Sequence, residues 1–110
     1  MWLSFNPLTE IDMLNAAYDQ TYASTLDHID YVVKSLAEKP GRALSIAISS
    51  GGDVAVQALF DAVMDKGHRM VLVQALDAPS LPGWVREKLE IFLYGTSRQT
   101  AALFSKKVLH

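Results

Sequence analysis

The residues with the most chemical potential stand together at Ser49, Ser50, Gly51, Gly52 and Asp53. Two hydroxyls, two glycines and a carboxylate directly after an apolar run suit a turn that opens a helix. At such a start, backbone N–H groups without intrahelical partners and the positive end of the helix dipole can hold a phosphate or carboxylate. The glycines allow close approach. Ser49 or Ser50 is also a candidate phosphosite, which would gain about −1.5 to −2 charges. Asp53 suits the N-cap of the same helix, and there its charge opposes a bound anion.

Other chemistry-bearing residues are scattered. Asp27, His28 and Asp30 include metal-ligand types, but positions 27 and 28 point about 100° apart on a helix and read as a solvated face. Asp61 and Asp65 are an i,i+4 pair on the polar side of a helix, an ordinary exposed acidic face. His68 follows Gly67 in a turn, and Trp84 beside Pro82 and Gly83 reads as core packing. A Ser-His-Asp set is a matter of three-dimensional geometry and does not follow from spacing. There is no phosphate-binding P-loop, no dinucleotide-binding glycine motif and no zinc motif. With no cysteine there is no disulfide framework, thiol nucleophile or zinc-thiolate site. No metal and no cofactor are expected.

The elements that must position the turn follow from apolar spacing. Residues 2–5 can form a first strand closed by Asn6 and Pro7. Thr9 with Asp12 opens a helix that carries Ile11, Leu14 and Tyr18, then Leu26, Ile29, Val32, Val33 and Leu36 at helical spacing. A helix from Thr9 to Glu38 would be about 45 Å long, so a break is expected near Ala23, Ser24 and Thr25. Pro40 and Gly41 are a stop. Residues 43–48 alternate Leu44, Ile46 and Ile48 with small residues and read as a strand covered on both faces. A helix follows the turn, with Val56, Leu59, Phe60 and Val63 inward and Gly67 placed as its C′ residue.

Residues 70–76 and 91–94 read as further strands, the latter ended by Gly95. Ser80, Leu81 and Pro82 start a short helix carrying Trp84, Val85 and Leu89 between them. Thr96 with Gln99 caps a last helix carrying Ala101, Phe104 and Val108. Strands alternating with helices predict an α/β domain, a four-stranded mostly parallel sheet packed with helices. The ligand position in such sheets is beyond the carboxyl ends of the strands, where Ser49 to Asp53 would stand.

Size and charge limit the function. One hundred and ten residues, half of them hydrophobic and 20% charged, make a single folded domain spanning 1–110. No apolar run approaches about 18 residues, so no membrane span is expected. Residues 1–10 lack a basic start and an apolar stretch, so no secretory leader is expected and the cytoplasm is the default location. The net charge of −2 divides unevenly. Residues 1–65 hold nine acids against three bases (Lys34, Lys39, Arg42), and residues 66–110 hold three acids against seven bases. A pI near 5.8 argues against nucleic acid as a partner.

From Asp19 onward, the order of elements resembles the STAS (SpoIIAA-like) domain family. Ser49-Ser50-Gly51 is similar to the serine-glycine motif that opens a helix in anti-sigma-factor antagonists. The resemblance implies that Ser50 corresponds to the regulatory phosphosite, with Ser49 as its neighbour. It also implies a non-catalytic regulatory domain that binds another protein. Residues 44–61 are similar to the ClpP/crotonase pattern, which implies an oxyanion region at Gly51 and Gly52 with Ser80 near the nucleophile's spacing. Residues 48–67 resemble a sugar-isomerase phosphosugar loop.

Two expectations follow. The first is a protein-interaction domain switched by phosphorylation or anion binding at Ser49, Ser50, Gly51, Gly52 and Asp53. The alternative is a small hydrolase or isomerase-like enzyme using the glycine turn, which requires His28, His68 or Ser80 to converge on it. A homodimer is compatible with either.

Overall fold

The computed structural model describes residues 7–95, with side chains described from residue 16 onward. Five helices follow one another: α1 (Pro7–Asp27), α2 (Ile29–Glu38), α3 (Pro40–Asp65), α4 (Arg69–Ala75) and α5 (Gly83–Tyr94). Among the described residues there is no strand, which overturns the α/β, STAS-like architecture and its four-stranded parallel sheet. The first expected strand and the last expected helix lie outside the described residues.

The three remaining strand expectations fail for one reason, which is that a short apolar run fits a buried helix as well as a strand. In residues 43–48 the buried side chains are Leu44 and Ala47, three apart, while Ile46 is 62% exposed. In residues 70–76 they are Leu72, Ala75 and Leu76, again at helical spacing, and Met70 faces solvent. Residues 91–94 continue the stripe of Val85 and Leu89, leaving Ile91 and Tyr94 exposed. Helical burial, rather than alternation, governs all three.

The helix junctions are tight. A single residue, His28 (φ −120°, ψ 32°), separates α1 from α2, with its N–H donated to Ser24 O at 3.1 Å. The break thus falls four residues after Ser24, and Thr25 is buried inside α1 with its hydroxyl donated to Thr21 O at 2.7 Å. Lys39 alone separates α2 from α3. Pro40 ends one helix and also opens the next, because its fixed φ and missing N–H suit a first helical position.

The C-terminus of α3 behaves as its glycine suggests. Gly67 has φ 82°, its N–H is donated to Met64 O at 2.9 Å, and His68 N–H is donated to Val63 O at 3.1 Å. That pair of bonds satisfies carbonyls that the end of a helix would otherwise strand. Gly95 closes α5 in the same left-handed region, with φ 80°.

The core runs along α3. Leu44, Ala47, Val56, Leu59, Phe60 and Val63 are buried there against Leu36 of α2, Leu72 and Ala75 of α4, and Val85 and Leu89 of α5. The Phe60 and Phe92 rings meet at 5.6 Å between centroids. Helix α1 packs chiefly on α3. Arg86 of α5 donates from Nη2 to Ala78 O at 2.5 Å, which ties α5 to the segment before it.

Candidate functional site

The expected turn exists as a kink inside a helix. Gly52 (φ 62°, ψ −140°) is the one non-helical residue within α3, and the helix resumes at Asp53. This conformation lies near a region that only glycine enters freely. The helix that precedes it is the segment read as a strand, so the five residues do not stand at the carboxyl end of a sheet.

They also do not form one site. Ser49 and Ser50 are exposed, and the Ser50 hydroxyl is donated to Ala47 O at 3.0 Å. Gly51 approaches Ala17 of α1 closely enough that an added Cβ would lie 3.8 Å from its methyl carbon and 2.9 Å from that of Ala55. Asp53 turns the other way and pairs with Lys88 of α5 at 2.5 Å. Of the five, Ser50 and Asp53 border hollows, and these lie on different sides of α3.

The hollow beside Asp53 is shallow, lined by Gln57 of α3 and by Trp84, Lys88, Ile91 and Phe92 of α5. Trp84 is 44% exposed at its edge, not packed in the core as expected.

The hollow beside Ser50 is a groove of about 900 Å³ enclosed by α1, α2 and the first half of α3. The single-residue junctions between these helices stand at its corners. Both corner residues, His28 and Lys39, line it. Its deepest lining includes Thr25, Ala47 and Leu59, all buried. Tyr31 of α2, 73% exposed, and Ile46 of α3, 62% exposed, belong to its lining. Ala17, Ser24, Ser35, Ala43 and Ser50 keep it wide, because small side chains leave room above the backbone.

A second feature joins α1 to α3. Tyr18 OH is donated to Asp61 and Tyr22 OH to Asp65, each at 2.5 Å, and Gln57 Nε2 also donates to Asp61 at 3.1 Å. The two tyrosine rings stack 6.0 Å apart. The hydrogen bond to Asp61, followed by burial, pushes the Tyr18 hydroxyl up to about 12. Tyr22 moves in the same direction through its bond to Asp65. The sequence marked Asp61 and Asp65 as an exposed face. Their matching i,i+4 spacing with Tyr18 and Tyr22 was the only signal available.

The three residues on which the enzyme alternative draws are placed differently. His28 shares the groove with Ser50. His68 lies beyond the far end of α3, about 20 Å along the helix from Gly52. Ser80 abuts Gly41, where an added Cβ would collide with its side chain, about 15 Å along α3 from Gly51. Among the described residues no group of His, Asp or Glu could hold a metal ion. One helix among them, α3, is long and apolar enough by length and composition to cross a membrane, with a mean hydropathy of 1.4. Comparison with family models, curated proteins and solved structures finds no match for this chain.

Proposed function

We propose that this chain is a non-catalytic protein-interaction module that docks a helical segment of another protein in the groove of α1, α2 and α3. One observation carries the reading: Tyr31 and Ile46, two of the most exposed large apolar side chains, belong to the same groove over a buried floor. Exposed apolar groups gathered in a concavity, unlike single ones scattered on a surface, mark a binding surface. Side chains of an amphipathic helix at i, i+3, i+4 and i+7 suit such a groove. Ser50 lies at its lining, so phosphorylation there would place a dianion where the partner sits. Ser49 is outside the groove lining and would have a smaller effect.

The test is chemical-shift mapping with an added amphipathic helical peptide of leucine, alanine and glutamine. Shifts are expected to concentrate between residues 17 and 50 and to vanish in a Tyr31→Ala/Ile46→Ser double variant. Shifts concentrated on α5, or none at all, would remove the reading. Ser50→Asp is expected to alter the peptide's affinity and Ser49→Asp to leave it within about twofold, as surface changes outside a contact usually do.

A further inference from the structure

We infer that the groove selects an acidic amphipathic helix, a deepening that rests on the docking reading above. The charge distribution carries it. Residues 1–65 contain nine acids and three bases. All three bases, Lys34, Lys39 and Arg42, line this groove, whereas among the described residues Glu38 is the only acid that does. Lys34, Lys39 and Arg42 are exposed, and among the described residues none of them enters an ion pair. Three cations are thus gathered on one groove of an otherwise acidic half, and among the described residues none of them is paired.

A concave surface lined by one sign of charge focuses its field, so the local potential is positive although the whole chain carries −2. Lys39 and Arg42 stand together at the corner between α2 and α3, and the first turn of α3 adds the positive end of its dipole there. The carboxylates of the occupant therefore gather toward that corner, and its apolar residues meet Tyr31, Ile46 and the floor. From His28 to Lys39 the α2 wall is about 16 Å long, which matches three turns, or about 11 residues, of an incoming helix.

Other occupants fit less well. Residues 96–110 of the chain contain Arg98, Lys106 and Lys107 and no acid, so their charge has the same sign as the groove. A flat bilayer surface cannot reach a floor recessed between helices. The apolar floor offers nothing to a phosphodiester backbone.

Two labelled twelve-residue peptides test the inference by fluorescence anisotropy: leucine at i, i+3, i+4 and i+7 with glutamate elsewhere, and the same pattern with lysine. The glutamate peptide is expected to bind about tenfold more tightly at low salt, as a few partly exposed ion pairs allow, and to weaken as salt rises. Lys39→Glu/Arg42→Glu, both at exposed positions, is expected to invert the preference. Equal binding of both peptides that is still lost in Tyr31→Ala/Ile46→Ser would overturn the acidic selectivity and leave the docking reading standing. No binding of either peptide would overturn both. Stronger binding to vesicles of anionic lipid than to the glutamate peptide would also overturn the inference, in favour of a membrane-surface role.

Discussion

Asp61 and Asp65 show how much one residue's role depends on a partner far along the chain. Each accepts a hydroxyl hydrogen bond from a tyrosine 43 residues earlier, so a carboxylate pair that reads as solvated polar surface instead latches α1 to α3. No local pattern around either aspartate could disclose that. The latch has a pH signature. Tyr18 is raised from 10.0 to about 12, first by its bond to Asp61 and then by burial, so the folded state holds that proton more tightly than the unfolded chain. Its contribution is complete below pH 10, and it is lost as pH rises from there through about 12. A spectrophotometric titration of tyrosinate is expected to place Tyr18 above the ordinary tyrosine value of 10.0, and Asp61→Asn to bring it back toward that value. An unchanged titration in that variant would show that the Tyr18–Asp61 bond is absent in solution.

Glycine is where the elements were most legible and apolar alternation is where they were least. Gly52 has φ 62° and ψ −140°, so Gly52→Ala is expected to cost about 1–3 kcal/mol, read as a lower urea midpoint. Gly83, in the first turn of α5 with ordinary helical handedness and open space around it, is the control, and Gly83→Ala is expected to be neutral or stabilising. If both variants unfold alike, the kink is not a constraint on the fold. The reading of Gly51 and Gly52 as a place where one segment ends and a helix begins thus located the kink correctly. The stop of α2 at Pro40 and the C′ position of Gly67 were equally visible, since both rest on backbone chemistry confined to a few residues, whereas the opening of α3 at Pro40 was not. The class of the segment before the kink was not visible. Leu44, Ile46 and Ile48 alternate in sequence, yet burial of Leu44 and Ala47 selects the helix, and that burial is supplied by α2 and α4. Ser50 was singled out through the same turn, and it lies at the lining of the groove. The groove itself was missed because it needs α1, α2 and α3 placed together, and a stop at Pro40 or a break near Ser24 does not say how the helices on either side pack.

At the scale of the whole molecule, the same apolar helix can be explained in two ways, and the stability of the chain in water is the test that separates them. Helix α3 has the length and mean hydropathy of a bilayer span. It also supplies Phe60, Val56, Val63, Leu44 and Leu59 to a core that buries residues from α2, α4 and α5. If α3 stood in lipid, those helices would lose the surface that their own apolar stripes cover, because Leu36, Leu72 and Leu89 all belong to that one cluster. One face of α3 is thus matched by the apolar stripes of its neighbours, while 39% of its apolar window is buried, and Asp53, Asp61 and Asp65 on the same helix find partners in Lys88, Tyr18 and Tyr22. As a core residue with no exposure, Phe60 changed to alanine is expected to lose about 3–5 kcal/mol, a large part of a small domain's stability. Urea unfolding without detergent is expected to be a single cooperative transition in the wild type and to shift to a much lower midpoint in Phe60→Ala. A chain that stays monodisperse only in detergent, with Phe60→Ala as resistant to urea as the wild type, would mean that α3 packs against lipid. The groove would then lose its floor, because Leu59 is on the same helix and is buried only while α3 is enclosed by its neighbours.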